Sequence, residues 1–508
     1  MKDNKTITKN VIFLLSRTLL LMLISLFTMS ELLRILGVTG YGLFNLIFGL
    51  IALFTFMNGA LSTSIQRYLS NKIGSNDRQG VIKYFLSSLY INTIIAIFVV
   101  MIGILLKDYL INNILNIKGY QQEASLLYYF AIFNIFILFL QTSFVALIIS
   151  YENMKIFAYI GIFEGISKLG IIYILHLVQI DKLVLYGFMY VNISFIVFGF
   201  YLFSSQKYLQ NIKDYLTQPL NLKKEIFDIS SFIGWNLLGN FALVLKNQGT
   251  NILLNIKFGL VVNAAYALAA SVSGMVNSLL NSVMNAVNPQ IYKSYAEGNN
   301  EKNIKLILMG SRISFLIILV LIYPFLLNSN LILNIWLNEI PNNTNHFIKL
   351  ALFLTLIDSL SISLITGLQA TGKIKIYQLV VGSLLLFNIP LSYIFIKFFD
   401  HPNVVYWAAI LISIFCLIAR LIFLKNMLNI NYRSYYSGVF SSITKVVLSF
   451  IVIYYIYHGL SANLVLSHFS NILLIIISET MCIFLAYSFG LFRNEKKFIS
   501  EKIKGVFK

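Results

Sequence analysis

Residues 35–85 read ILGVTGYGLFNLIFGLIALFTFMNGALSTSIQRYLSNKIGSNDRQGVIKYF, and this stretch decides the fold class. Its first half is almost wholly apolar, and a helix needs roughly 20 such residues to cross the hydrocarbon core of a bilayer. A polar turn that carries Lys and Arg follows at 71–79, after which the chain becomes apolar again. The stretch therefore predicts a membrane-spanning helix, a charged turn and the start of the next span.

The same alternation continues along all 508 residues, of which 58% are hydrophobic and 11% charged. A soluble domain carries about 25% charged residues, so this composition is typical of an integral membrane protein. We expect an all-α integral membrane fold of about 14 transmembrane helices. The predicted spans are 10–33, 40–65, 84–106, 124–150, 156–178, 183–204, 229–256, 260–289, 306–327, 347–369, 376–397, 404–425, 438–459 and 470–491.

Positive charge is concentrated in alternate loops and in the C-terminal tail. Because Lys and Arg favour the cytoplasmic side, we expect a multi-pass protein of the bacterial cytoplasmic membrane with both termini in the cytoplasm. The first apolar segment is too long for a cleaved signal peptide. The net charge of +19 then reflects topology and contact with anionic membrane lipids rather than nucleic-acid binding.

The predicted loops between the spans are too short to form a catalytic domain. The longest, at 205–228 and 328–346, could not hold a folded catalytic domain. No phosphate-binding loop motif is present, and neither His nor Cys has metal-ligand spacing. We expect a transporter rather than an enzyme, without a metal or cofactor, and with H⁺ or Na⁺ as candidate coupling ions.

A second stretch, residues 255–307, reads like the first: NIKFGLVVNAAYALAASVSGMVNSLLNSVMNAVNPQIYKSYAEGNNEKNIKLI. Gly37 aligns with Gly259, and the SNDRQ turn aligns with GNNEK. Low-complexity similarity between apolar segments is the alternative explanation. Since an even number of spans separates the copies, a true repeat would be parallel, with its axis along the membrane normal.

The repeat predicts two six-helix lobes related by a pseudo-two-fold axis, followed by an extra helix pair. The predicted parts are an N-lobe at 1–204, a cytoplasmic linker at 205–228, a C-lobe at 229–428, and the helix pair with a basic tail at 429–508.

Two of the cations inside predicted spans are candidates for a cavity, because a charge there costs about 2.5–3.5 kcal/mol on insertion scales. Arg17 lies about two turns into the first span, and snorkelling to the headgroups is the alternative to a role in a cavity. Lys246 lies too deep in the seventh span to reach the cytoplasmic face. Because residues 247–251 are also polar, we expect this span to line water or to be broken.

The eighth span carries one polar face on an otherwise apolar helix. Ser273, Asn277, Asn281 and Asn285 follow one another at four-residue spacing, and Asn288 continues the face. The face predicts either hydrogen bonds between helices or a cavity wall that binds sugar hydroxyls, since Asn both donates and accepts.

Four further residues are candidates for ion coupling. Glu164 and Lys168 are four residues apart near the middle of the fifth span, a spacing that favours an ion pair and leaves a proton or ion site as the alternative. Asp358 and Glu479 have no partner evident in the sequence, and burial could keep either one protonated.

The chain also resembles a known family. RILGVTGYGLF at 34–44 and QRYLS at 66–70, together with Arg17, resemble the opening of polysaccharide-export flippases. NPQIYKSYAEGN at 288–299 is similar to the same family. These are the Wzx-like branch of the multidrug/oligosaccharidyl-lipid/polysaccharide (MOP) superfamily.

The resemblance implies two lobes around a cavity that opens alternately to either side of the membrane. It implies translocation of a polyprenyl-pyrophosphate-linked oligosaccharide for surface polysaccharide such as O-antigen or capsule, with membrane lipids and polysaccharide polymerase machinery as partners. The cationic residues expected to meet the pyrophosphate are Arg17, Arg34, Arg67 and Lys246, and the face on the eighth span would meet the sugar.

Two other functions stay open. A cation-coupled multidrug exporter of the same superfamily would use acidic residues in the N-terminal lobe, where Glu164 is central but has Lys168 beside it. A membrane glycosyltransferase or polymerase is the third hypothesis, against which the short loops argue.

Overall fold

The computed structural model describes residues 2–117, 119–151, 153–209, 222–337, 339–372, 375–463, 468–492 and 495–496. These ranges are helical with short connections and contain no β-strand, which confirms the all-α fold class. The helices are α1 Lys2–Ala52, α2 Thr55–Gly74, α3 Arg78–Tyr109, α4 Gln121–Ser150, α5 Met154–Leu177, α6 Lys182–Ser205, α7 Lys223–Phe258, α8 Leu260–Ala296, α9 Asn300–Trp336, α10 Thr344–Ser359, α11 Ile362–Ala370, α12 Lys375–Leu386, α13 Asn388–Phe399, α14 Val404–Leu428, α15 Tyr432–Tyr435, α16 Ser441–Asn463 and α17 His468–Gly490.

Within the described ranges, 12 helical segments are long and apolar enough to cross a membrane. This agrees with a multi-pass membrane protein. Helices α2 and α7, which contribute to the predicted second and seventh spans, are not among the 12. The count of about 14 and the orientation of the termini therefore stay predictions.

Gly37 and Gly259 break the helices at matching places in the two sequence copies. Gly37 has φ 70° and ψ 169° inside α1, and Gly259 has φ 80° and ψ −169° between α7 and α8. Only glycine adopts this region readily, because a Cβ would clash with the backbone. The sequence similarity thus has a counterpart in the backbone.

The turn between α2 and α3 is held by its own side chains. Asn76 adopts a left-handed φ of 56°, and the Asp77 carboxylate accepts hydrogen bonds from Lys72 Nζ and Gly80 N, each at 2.8 Å. The hydrogen bond from Lys72, with that from Gly80, holds the pKa of Asp77 below its usual range. The polar turn predicted at 71–79 is therefore a capped helix start.

The described chain divides into two compact units. The first comprises residues 1–268, 336–344 and 382–405, and the second comprises 269–335, 345–381 and 406–508. The first unit contains α1–α7 and α13, whereas most of α8 belongs to the second. The lobe boundaries expected from the repeat stay a prediction, and residues 210–221 of the expected linker and 497–508 of the tail lie outside the described residues.

Close helix packing in the first unit depends on two glycines of α1. A Cβ at Gly42 would lie 2.2 Å from the carbonyl oxygen of Leu260, and one at Gly49 would lie 2.7 Å from Gln248 Oε1. A side chain at Gly42 would meet backbone and push α1 away from α8, whereas one at Gly49 would have to displace the side-chain ends of Gln248 and Asn251. These glycines bring α1 against the polar segment of α7.

A buried arginine anchors the chain after α17 in the second unit. Arg312 is 1% exposed and donates hydrogen bonds to Glu495 Oε1 and to the carbonyl oxygen of Gly438. Its guanidinium lies 4.1 Å from the ring centroid of Phe492. The helix pair α16 and α17 is thereby tied to α9.

Candidate substrate site

The polar segment of α7 excludes one of the two structures expected for it, a water-lined span or a broken one. Instead of being broken, α7 is one continuous helix through residues 247–251. Asn263 Nδ2 donates to Asn251 Oδ1 at 2.7 Å and to the Asn251 carbonyl at 2.8 Å, and the Tyr266 hydroxyl lies 3.2 Å from the carbonyl oxygen of Asn247. Much of this polarity joins α7 to α8. The break is therefore absent, and the expectation that this span lines water stays a prediction.

Lys246 remains buried without a partner. The residue is only 6% exposed, and its ammonium makes no hydrogen bond or ion pair with the described residues. One turn further on, Thr250 donates to the Lys246 carbonyl at 2.6 Å and accepts from Asn388 Nδ2 at 3.3 Å. Lys246 Nζ is not one of the fully buried polar atoms without a partner, so the ammonium reaches accessible space, and this position favours an anion or water.

The other predicted cations differ from Lys246. The Arg17 side chain lies outside the described residues. Arg34 is exposed, and its Nη2 lies 2.5 Å from Glu31 Oε2 and 2.9 Å from His176 Nε2. Arg67 is also exposed, and its guanidinium lies 6.0 Å from the ring centroid of Tyr68. Among the predicted cations with described side chains, Lys246 alone is both buried and unpaired.

The predicted face of α8 is partly satisfied by neighbouring helices. Asn288 Oδ1 accepts from Thr366 Oγ1 at 3.1 Å, as expected for a bond between helices. Ser273 Oγ is buried and has no partner among the described residues. Asn277 is half-buried and Asn281 is exposed, whereas the side chain of Asn285 lies outside the described residues.

Glu164 and Lys168 form the ion pair that their spacing predicts. Lys168 Nζ lies 2.7 Å from Glu164 Oε1 and also 4.3 Å from the ring centroid of Tyr190 on α6. The side chains of Lys168 and Glu164 are 23% and 35% exposed. The ammonium is therefore shared between a carboxylate and an aromatic face.

Tyr190 belongs to an aromatic cluster that the sequence interpretation missed. The cluster consists of Phe44, Phe48, Tyr186 and Tyr190. The Phe44 and Phe48 rings stack at 4.3 Å, and the Phe48 and Tyr190 rings meet edge to face at 5.3 Å. The Phe44 and Tyr186 centroids are 4.7 Å apart. Two aromatic pairs at four-residue spacing, one in α1 and one in α6, were the sequence signal for this cluster.

The remaining acids fall in the second unit. Asp358 has a partner after all, because Ser413 Oγ donates to its carboxylate from α14. Glu479 Oε2 is buried and has no partner among the described residues. No group of His, Cys, Asp and Glu in the described part of the chain is arranged to hold a metal ion.

Comparisons with known proteins identify the fold. Residues 236–394 match the MatE family model. The MATE multidrug transporter DinF-BH is similar with a TM-score of 0.62 at 14% identity, over 84% of this chain and 97% of that chain. A MOP superfamily transporter from Pyrococcus furiosus, described as having a binding pocket of reverse polarity, is similar with a TM-score of 0.60 at 14% identity, over 83% of this chain and 97% of that chain. The chain has the MATE transporter fold.

Another MATE family transporter, in an inward-facing conformation, gives a TM-score of 0.60 at 15% identity, over 84% of this chain and 97% of that chain. No curated protein matches. These comparisons show the fold of the chain, and the MatE model covers residues 236–394 of it. The Wzx-like subtype, with its polysaccharide substrate, is not supported by these comparisons.

Proposed function

We propose that this chain is a cation-coupled multidrug exporter that moves lipophilic organic cations out of the cell by alternating access. The MATE fold supports this function. The observation that carries it is the Glu164 carboxylate, which lies beside the aromatic cluster and is linked to Tyr190 through Lys168. Aromatic faces and a carboxylate together suit a large, weakly hydrated cation, because rings attract positive charge and supply apolar surface.

Coupling to H⁺ or Na⁺ is part of the proposal. Glu164 is the candidate in the first unit, while Asp358 and Glu479 are the candidates in the second. Glu479 is the stronger of the latter two, since its buried carboxylate oxygen has no partner among the described residues. Asp358 already accepts a hydrogen bond from Ser413.

An efflux assay tests the function. The full chain is expressed in a bacterial strain that lacks its own drug exporters, and loss of ethidium from preloaded cells is followed by fluorescence. We expect faster efflux than with empty vector, and loss of that gain in Glu164→Gln. Glu301→Gln is the matched control, because Glu301 also has a lysine four residues later but lies in an exposed pair. Efflux at the empty-vector rate for both ethidium and tetraphenylphosphonium would contradict the proposal.

Lys246 favours a second candidate function, the translocation of a polyprenyl-pyrophosphate-linked oligosaccharide. An ammonium without a counter-charge, on a residue only 6% exposed, suits a pyrophosphate, which needs cationic partners. The half-buried Asn277 and the unpartnered Ser273 hydroxyl would suit sugar hydroxyls. Contact with polysaccharide polymerase machinery belongs to this candidate and is likewise a proposal.

An assay of surface polysaccharide in the native host tests this second candidate function. We expect Lys246→Met to reduce surface polysaccharide at an unchanged membrane level of the protein, whereas Lys257→Met should leave it normal. Lys257 lies on the same helix but is exposed in its last turn. Normal polysaccharide in Lys246→Met would remove the role of Lys246 in pyrophosphate binding.

A further inference from the structure

We propose that Lys168 is a tethered competitor, which occupies the organic-cation site when no substrate is bound and leaves it when a substrate enters. The inference rests on the proposed function and names the site: the Glu164 carboxylate, the Tyr190 face and the adjoining Phe48 ring. The ligand class is a lipophilic monovalent cation.

The ammonium of Lys168 makes the two interactions that such a cation would need. It lies 2.7 Å from Glu164 Oε1 and 4.3 Å from the centroid of Tyr190. A bound cation could not use the same carboxylate and ring while Lys168 remains there. Substrate and lysine therefore exclude one another.

The surroundings distinguish this ion pair from an ordinary helical one. Glu301 and Lys305 have the same spacing, with Nζ 2.6 Å from the carboxylate, yet they are 81% and 74% exposed. Glu164 and Lys168 are 35% and 23% exposed and lie within a predicted membrane span. Charges interact more strongly where water is excluded, so the α5 pair interacts more strongly than the solvated α9 pair.

The exchange keeps the charge at Glu164 constant. A cation arrives as the Lys168 ammonium departs on its flexible four-carbon stem, and the ammonium returns when the cation is released. The carboxylate is thus never left unpaired inside the membrane, while the loaded carrier gains one positive charge, that of the displaced ammonium. The empty carrier is self-neutralised.

Equilibrium binding of radiolabelled tetraphenylphosphonium to the purified, detergent-solubilised full chain tests the competition. Removing the competitor in Lys168→Met should tighten binding by about tenfold. Lys168→Arg keeps the charge and should bind no more tightly than the unmodified protein. Glu164→Gln introduced into Lys168→Met should abolish the gain, and Lys305→Met should leave the affinity unchanged. Lys168→Gln replaces Lys168→Met if the latter does not elute as a single folded species.

The outcomes separate the two proposals. Equal or weaker binding by the neutral Lys168 variants, together with ethidium efflux by the unmodified chain, would overturn the competitor and leave the export function standing. Absence of both tetraphenylphosphonium binding and efflux in all forms would overturn both. Tighter binding in Lys168→Met that disappears with Glu164→Gln supports the competitor.

Discussion

Lys168 and Lys246 lie in helices of the same unit, and the chain accommodates their charges in opposite ways. Lys168 is paired with Glu164 and with the Tyr190 ring. Lys246 is more deeply buried and makes no hydrogen bond or ion pair with the described residues. A neutralised ammonium can be exchanged for another cation, whereas an unpaired one calls for an anion. The two lysines therefore correspond to the two candidate functions.

The two sites also differ in how they are supported. Lys168 is paired within its own helix, four residues from its carboxylate. The burial of Lys246 depends on helices that pack against α7, and the close approach of α1 at Gly42 and Gly49 is part of that packing. Substitutions should therefore separate the two sites.

The largest effect is expected from Gly42→Ala. Its Cβ would lie 2.2 Å from the Leu260 carbonyl oxygen, so α1 would have to move away from the α7–α8 hairpin, at a cost of about 3 kcal/mol. We expect a marked fall in the apparent melting temperature of the detergent-solubilised protein. Gly40→Ala is the control, because its Cβ would meet only ordinary contacts at 3.4 Å or more. Equal stability of the two variants would contradict the dependence on close packing.

Lys168→Met should destabilise the protein to a smaller extent. It leaves the Glu164 carboxylate without its ammonium in a partly buried position, which we expect to cost about 2 kcal/mol after allowance for partial exposure. Thermal unfolding followed by tryptophan fluorescence measures the change. Adding Glu164→Gln should restore most of the loss, and a double variant as unstable as the sum of both single variants would show that the pair contributes nothing.

Lys246→Met, unlike Lys168→Met, should raise the stability of the protein. Since Lys246 is a buried residue whose ammonium has no counter-charge among the described residues, an apolar side chain of similar length should stabilise the protein by about 1 kcal/mol. The same thermal assay applies, with Lys257→Met as the exposed control. A loss of stability in Lys246→Met would mean that the ammonium is compensated, and would remove the contrast with Lys168.

The smallest effect is expected at the exposed pair of α9. Lys305→Met and Glu301→Gln should each change stability by less than about 0.5 kcal/mol, because solvent screens such pairs. A loss as large as that from Lys168→Met would indicate that helical spacing alone, rather than the protein interior, determines the strength of the α5 pair.

Features that depend on neighbouring residues in the chain were predictable from the sequence. The helical membrane class follows from the length of the apolar segments, and the Glu164–Lys168 pair follows from four-residue spacing. Gly37 and Gly259 were aligned as a repeat, and both adopt a positive φ. These properties need no information about which helices meet.

Several site features were not predictable in the same way. Of the two structures expected for α7, a water-lined span or a broken one, the break is absent, and Asn251 accepts hydrogen bonds from Asn263 across the hairpin. Asp358 finds Ser413 on a helix distant in sequence. In each case the partner is set by helix packing, so composition and spacing along one helix could not reveal it.

The sequence by itself determined that this is a helical membrane protein with charges inside its spans, because hydrophobic length and helical periodicity are local properties. Only the tertiary structure decided which of those charges are neutralised. Lys168 meets Tyr190 from α6 and Lys246 meets no counter-charge among the described residues, since side chains far apart in the chain come together only when the helices pack.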